Sequence, residues 1–166
     1  MPEAPPLLKA LAIGKQFPGV RALHDVNLTL FQGEVLSLVG ENGAGKSTMM
    51  KILAGIHLPD EGAIELDGDF VEISNVREAQ KYGIALIHQE LNLSDNLDIA
   101  ANIFLGNEPH KSGIIDRNRI HKESAQFLKR VGLEFSTDTL VADLTIGHQQ
   151  LVEISKALSV DARIII

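Results

Sequence analysis

The sequence predicts an α/β fold built around a phosphate-binding loop, and three observations carry that expectation. The first is the octet Gly40-Glu41-Asn42-Gly43-Ala44-Gly45-Lys46-Ser47, which fits the pattern G-x-x-x-x-G-K-[ST]. The second is its setting. The short apolar run Val35-Leu36-Ser37-Leu38-Val39 before it reads as a strand buried on both faces. After it, Thr48-Met49-Met50-Lys51-Ile52-Leu53-Ala54 is rich in helix formers and stops at Gly55. The third is a change of texture along the chain, strand-rich from Leu7 to about Ile73 and helical from Asp98 to Leu158.

Strand, glycine-rich loop and helix is the order that phosphate binding needs. Glycines let backbone N–H groups curl around phosphate oxygens with no Cβ in the way. The helix start adds its partial positive charge, and Lys46 adds a whole one. Ser47 offers a hydroxyl to Mg²⁺, and Thr48 completes the set. The expected ligand is a nucleoside triphosphate with Mg²⁺.

Composition sets limits. With 166 residues and 45% hydrophobic content, the chain is long enough for a respectable core. A net charge of −7 argues against a nucleic-acid partner held mainly through phosphate charge. Cysteine is absent, which excludes disulfides and thiolate metal sites. No apolar run approaches the length of a membrane span. The start, Met1-Pro2-Glu3-Ala4-Pro5-Pro6, has no basic region and no apolar core, so it reads as a lead-in rather than a secretory signal.

The remaining elements follow in order. Val26, Leu28 and Leu30 alternate with Asn27 and Thr29 as in a strand, and Gln32-Gly33 turns the chain toward the loop. Ala63–Leu66 and Phe70–Ile73 flank Asp67-Gly68, a hairpin signal. Asn75 with Glu78 resembles a capping box opening a helix that ends near Gly83. Ile84-Ala85-Leu86-Ile87 reads as another buried strand. Gly106–Gly113 reads as a surface loop. Ile120, Ser124, Phe127, Leu128 and Val131 share one helical face.

A phosphate loop alone does not choose among kinases, GTPases and transport ATPases. Leu144-Thr145-Ile146-Gly147-His148-Gln149-Gln150, followed by Leu151-Val152-Glu153-Ile154-Ser155-Lys156-Ala157-Leu158, resembles the L-S-x-G-x-x-Q signature of the ABC ATPases, and most closely their monosaccharide-importer branch. Physically it is a polar, glycine-containing helix start able to present N–H groups and a hydroxyl to phosphate. The resemblance implies that Leu144, Thr145, Gly147 and Gln149 act in trans, closing over ATP held by a second nucleotide-binding domain. Thr145 stands in for the usual serine and keeps the hydroxyl; His148 occupies a variable position and is expected at the solvent.

The resemblance runs from about Leu7 to Ile166, with Ile87–Leu93 and Ala101–Gly106 also looking like ribose-type ATP-binding subunits. It implies a P-loop NTPase fold of ABC type. Residues 7–97 would form the ATP-binding core and antiparallel β subdomain, 98–160 the helical signature subdomain, and 163–166 the start of the Walker B strand. Gln89 would be the Q-loop glutamine, reaching Mg²⁺ and the attacking water, and Phe17 would stack on adenine. His57, His110 and His121 have no partner at metal-ligand spacing. The implied partners are transmembrane permease subunits, a second ABC ATPase domain and, indirectly, an extracytoplasmic sugar-binding protein, which would place the chain peripherally on the cytoplasmic face of the cell membrane. The family's catalytic carboxylates follow the Walker B strand, so these 166 residues are expected to bind ATP without hydrolysing it. Without a neighbouring strand carrying the family's switch histidine, Val35–Val39 is expected to lose its pairing partners. The alternatives are a non-catalytic structural piece, or a soluble ABC ATPase of DNA repair or translation.

Overall fold

The computed structural model describes residues 5–88 and 91–166. The chain divides after Tyr82 into two compact units.

The first unit is an antiparallel sheet with two helices. Strands β1 (Leu8–Phe17), β2 (Val20–Leu30), β3 (Glu61–Leu66) and β4 (Asp69–Val71) stand in the order β2-β1-β3-β4. Central β1 buries Leu8, Ala10 and Ile13, while β3 adds Ile64 and Leu66. Each Leu or Ile so buried contributes about 1.5–3 kcal/mol before entropy is counted. The β3–β4 hairpin turns at Asp67-Gly68 as the sequence indicates, with φ of 53° and 92°. Two positive φ values define the turn whose twist matches the flanking strands.

Helix α1 (Lys46–Leu53) follows the glycine-rich loop and buries Met49, Ile52 and Leu53. Gly55 just beyond it has φ of 72°, and a Cβ there would collide with the Asn75 carbonyl, so glycine is required twice over. Helix α2 (Val76–Lys81) starts at Asn75, whose Oδ1 accepts the Glu78 N–H at 3.1 Å. The reciprocal arm of the box lands one residue early. Glu78 Oε2 accepts the Ser74 N–H at 2.8 Å and the Ser74 hydroxyl at 2.6 Å.

One expectation of a formed element fails. Val35–Val39 is not a strand, and Val35 and Val39 are 93% and 94% exposed. No described strand runs beside the segment, so its backbone N–H and C=O groups have no ladder to join and stay with water.

The second unit is mainly helical. Helices α3 (Ile99–Phe104), α4 (Arg117–Arg130) and α5 (Ile146–Ser159) enclose a core of Ile99, Ile103, Phe104, Ile120, Leu128, Val141 and Val152. Ile120, Ser124 and Leu128 are buried on α4, as their spacing predicts. Asp98, Asp116 and Thr145 cap the three helices, accepting N–H groups three residues on. The expected Ile84–Ile87 strand is shorter. Strand β5 (Ile84–Ala85) pairs in parallel with β8 (Ile164–Ile165), and Ile87 N–H extends the ladder to the Ile166 carbonyl. The supposed surface loop instead leads into a hairpin, β6 (His110–Lys111) with β7 (Ile114–Ile115), turning at Ser112-Gly113.

Candidate nucleotide-binding site

The phosphate loop opens where β2 supports it. Gly45 caps α1 with φ of 85° and ψ of −2°, a left-handed conformation that L-residues rarely adopt. It is also a point of closest approach. A Cβ at Gly45 would sit 2.5 Å from the Ala22 carbonyl oxygen and 2.6 Å from Leu23 Cδ2. Gly43 shares the positive φ, 85°, but faces open space. Hence Gly43 is needed for conformation, and Gly45 for conformation and room.

No side chain caps α1, so its first N–H groups have no side-chain acceptor. Lys46 Nζ donates to the carbonyls of Gly40 at 2.7 Å and Glu41 at 2.8 Å, which holds the ammonium across the loop's own mouth. An ammonium has three donors, leaving one for an oxygen from outside. Gly40, Glu41, Asn42, Gly43, Ala44 and Ser47 are exposed, and Gly45, Lys46 and Thr48 half-buried. Turn geometry, an uncapped helix start and a tethered cation together fit a polyphosphate, with Ser47 open to its metal ion.

Phe17 lies at the end of β1, paired with Val20 across the hairpin. Ala22, on which Gly45 rests, is two residues further along β2, about 7 Å at strand rise. The phosphate loop and Phe17 therefore share one end of the hairpin. Phe17 is half-buried and meets His57 edge-on, ring centroids 5.3 Å apart. The sequence shows His57 no partner at metal-ligand spacing; the structure puts it against this ring.

In the second unit, Leu144 is buried while Thr145 and Gly147 are exposed at the start of α5. The Thr145 hydroxyl accepts the His148 N–H at a long 3.4 Å. Gln149 is tied inward, its Nε2 donating to the Val141 carbonyl at 3.0 Å. His148, expected at the solvent, is half-buried against Phe135 with centroids 4.9 Å apart. Gln89 lies outside the described residues. Among the described residues no cluster of His, Cys, Asp and Glu could hold a metal ion unaided.

Several ordering residues escaped the sequence. Buried Asn102 accepts the Ser94 N–H at 2.7 Å and donates to the carbonyls of Ser94 and Asp98. Buried Glu153 accepts the Asn92 N–H at 2.8 Å. Asp60 accepts from Lys15 and from the Gln16 N–H, and these bonds hold its carboxyl below the usual range. Glu153 and Asp60 carry no local pattern, because their partners lie 61 and 44 residues away.

A glycine-rich turn feeding an uncapped helix, with a lysine tethered across it, defines a P-loop fold. The chain matches the ABC transporter family over residues 23–166. It is 51% identical over 162 residues to the ribose import ATP-binding protein RbsA of Caldanaerobacter subterraneus subsp. tengcongensis, covering 97% of this chain and 33% of that protein. It is 50% identical to the putative ribose/galactose/methyl galactoside import ATP-binding protein 1 of Burkholderia lata, covering 98% and 32%. In structure it is similar to MJ1267, an ATP-binding cassette of an ABC transporter, with a TM-score of 0.85 at 24% identity over 98% of this chain and 68% of that one. The chain belongs to the ABC transporter family. It spans about a third of the length of the curated relatives it matches.

Proposed function

We propose that the chain is part of the ATP-binding component of an importer that couples ATP binding and hydrolysis to uptake of a monosaccharide, with ribose the first candidate. The observation that carries the nucleotide part is the loop itself: Lys46 tethered across an uncapped helix start, with Gly43 and Gly45 in the left-handed region. The sugar is supported by the relatives' names, ribose import and ribose/galactose/methyl galactoside import.

In this reading the N–H groups of residues 43–48 and Lys46 hold the β and γ phosphates, and Phe17 carries the base. Ser47 would hold Mg²⁺ together with Gln89. Bound there, Mg²⁺ would neutralise phosphate charge. Thr145 and Gly147 would close on the nucleotide of a second ABC domain, with Leu144 anchoring the helix start and Gln149 fastening it to Val141. Permease subunits in the membrane, supplied by an extracytoplasmic sugar-binding protein, would complete the assembly on the cytoplasmic face. No helix among the described residues is long and apolar enough to cross a membrane.

For these 166 residues we infer ATP binding without turnover. Polarising catalysis is typically worth ~10²–10⁴-fold. Two carboxylates of the signature arm have other work. Glu153 is bonded to Asn92, and Asp138 to Ser136 with His121 at 3.6 Å. Calorimetry with Mg²⁺-ATP tests binding, and phosphate release should stay at background. Turnover that follows the purified chain and disappears in Lys46→Ala overturns this inference. For the whole protein, uptake of labelled ribose by vesicles holding it with its permease is the test. Uptake indifferent to ATP would reject the importer reading.

A further inference from the structure

The four residues leaving the phosphate-binding helix, His57-Leu58-Pro59-Asp60, are fastened to the end of β1 that carries Phe17. The chain turns back at the end of α1, where the N–H groups of Ile56 and His57 both donate to the Lys51 carbonyl, at 2.8 and 3.2 Å. Asp60 then makes three bonds to β1. Its N–H donates to the Gly14 carbonyl at 2.9 Å, Oδ2 accepts the Gln16 N–H at 2.7 Å, and Oδ1 accepts Lys15 Nζ at 2.7 Å. Three residues before Asp60, His57 meets Phe17 with ring planes at 71°, the edge-to-face arrangement that aromatic quadrupoles favour. Lys15 Nζ stands over the Phe17 ring, 5.7 Å from its centroid.

Without these contacts, a phenylalanine beside a hairpin turn would exchange rotamers, and a ligand stacking on it would lose that freedom on binding. With them the ring is held before any ligand arrives. The strap also links the two ends of a nucleotide site. It begins on the helix whose start faces phosphate, and it ends on the strand whose last residue is Phe17. Gly45 against Ala22 closes the loop from the other side.

We propose that His57 is a positioning residue for the nucleotide base. Its ring fixes Phe17 as a stacking platform, and Asp60 anchors the strap that sets this platform against the phosphate loop. The inference rests on the proposed reading of residues 40–48 as the phosphate site and of Phe17 as the base contact. It adds preorganised base recognition, favouring purines because they offer the larger stacking face.

The test uses the full-length protein and calorimetry with two probes, Mg²⁺-ATP and Mg²⁺-tripolyphosphate, the second having phosphates but no base. His57→Ala should weaken ATP by about three- to tenfold and leave tripolyphosphate unchanged, because only the base loses its prepared surface. His57→Phe, which keeps an aromatic edge, should restore ATP affinity. Asp60→Ala, which removes the two carboxylate bonds, keeps the backbone bond to Gly14 and releases Lys15 from its anchor, should weaken ATP in the same direction as His57→Ala with tripolyphosphate unchanged. Unchanged ATP affinity in His57→Ala, equal losses for both probes, or no rescue by phenylalanine each overturns the proposal. If Lys46→Ala binds tripolyphosphate as well as wild type does, the phosphate-site reading itself falls, and this proposal falls with it.

Discussion

With its ammonium already held by the carbonyls of Gly40 and Glu41, Lys46 offers, on the proposed reading, a charge positioned before phosphate arrives. Lys46→Ala should therefore weaken ATP binding by about 2–4 kcal/mol, the loss of one charge-assisted contact in a partly shielded site. Calorimetry of the full-length variant with Mg²⁺-ATP checks this, and an unaltered dissociation constant would remove the loop from the site. Asp60 gives a pH prediction at the same scale. Lys15 and the Gln16 N–H depress its folded-state pKa below 3.8, so its contribution to stability is present above that value. It is lost as pH falls through the lower, folded pKa. The difference in urea midpoint between wild type and Asp60→Asn should be constant near neutrality and shrink in acid below pH 3.8. A difference that grows on acidification would mean that the ion pair is not what holds the strap.

At the scale of elements, the sequence was readable where the determinants are local. Asp67-Gly68 specified its hairpin because both residues tolerate positive φ, and Asn75 specified the start of α2 because its acceptor lies three residues from its donor. The octet at 40–47 could be read for the same reason: its glycines answer to backbone geometry within one turn. The β6–β7 hairpin escaped because two-residue strands carry no periodicity. The Asp60 anchor and the Glu153–Asn92 bond escaped because they join residues 44 and 61 positions apart. Helix α5 yields a clean experiment. Gly147 has open space around it and an ordinary helical φ, so a larger residue fits without strain. On the proposed in-trans reading, Gly147→Asp in a hydrolysis-deficient full-length protein should leave ATP binding near wild type while abolishing ATP-dependent self-association, because it would set a carboxylate against the other domain's γ-phosphate. Sedimentation with ATP decides this. Association equal to the parent's would make α5 an ordinary capped helix.

At the scale of the whole molecule, Val35–Val39 is the most instructive segment, because its composition predicts a strand while the lack of a neighbouring strand among the described residues predicts that it goes unpaired. Val35–Val39 has the composition of a buried strand, and composition reports what a segment prefers, whereas a strand also needs neighbours. Hydrogen exchange should show the amides of residues 35–39 unprotected in the 166-residue chain. The same amides should be strongly protected in a protein of the relatives' full length. Protection in the short chain would show that the segment finds a partner within it. The unit holding α3, α4 and α5 does not share this problem, since its helices satisfy their own backbones and bury one continuous core.

Exposure of that segment also governs how the chain behaves among its own copies. Val-Leu-Ser-Leu-Val contains no charge, no proline and no glycine, and every residue except Ser37 offers a branched apolar side chain. Such a stretch, with its amides and carbonyls facing water, is a template on which another molecule's identical stretch can register. The net charge of −7 supplies long-range repulsion, but salt at 0.15 M confines it to about 8 Å. Close encounters are then decided by the ribbon itself. The glycine-rich loop begins at the residue following Val39, so pairing of copies along this stretch would crowd the mouth of that loop.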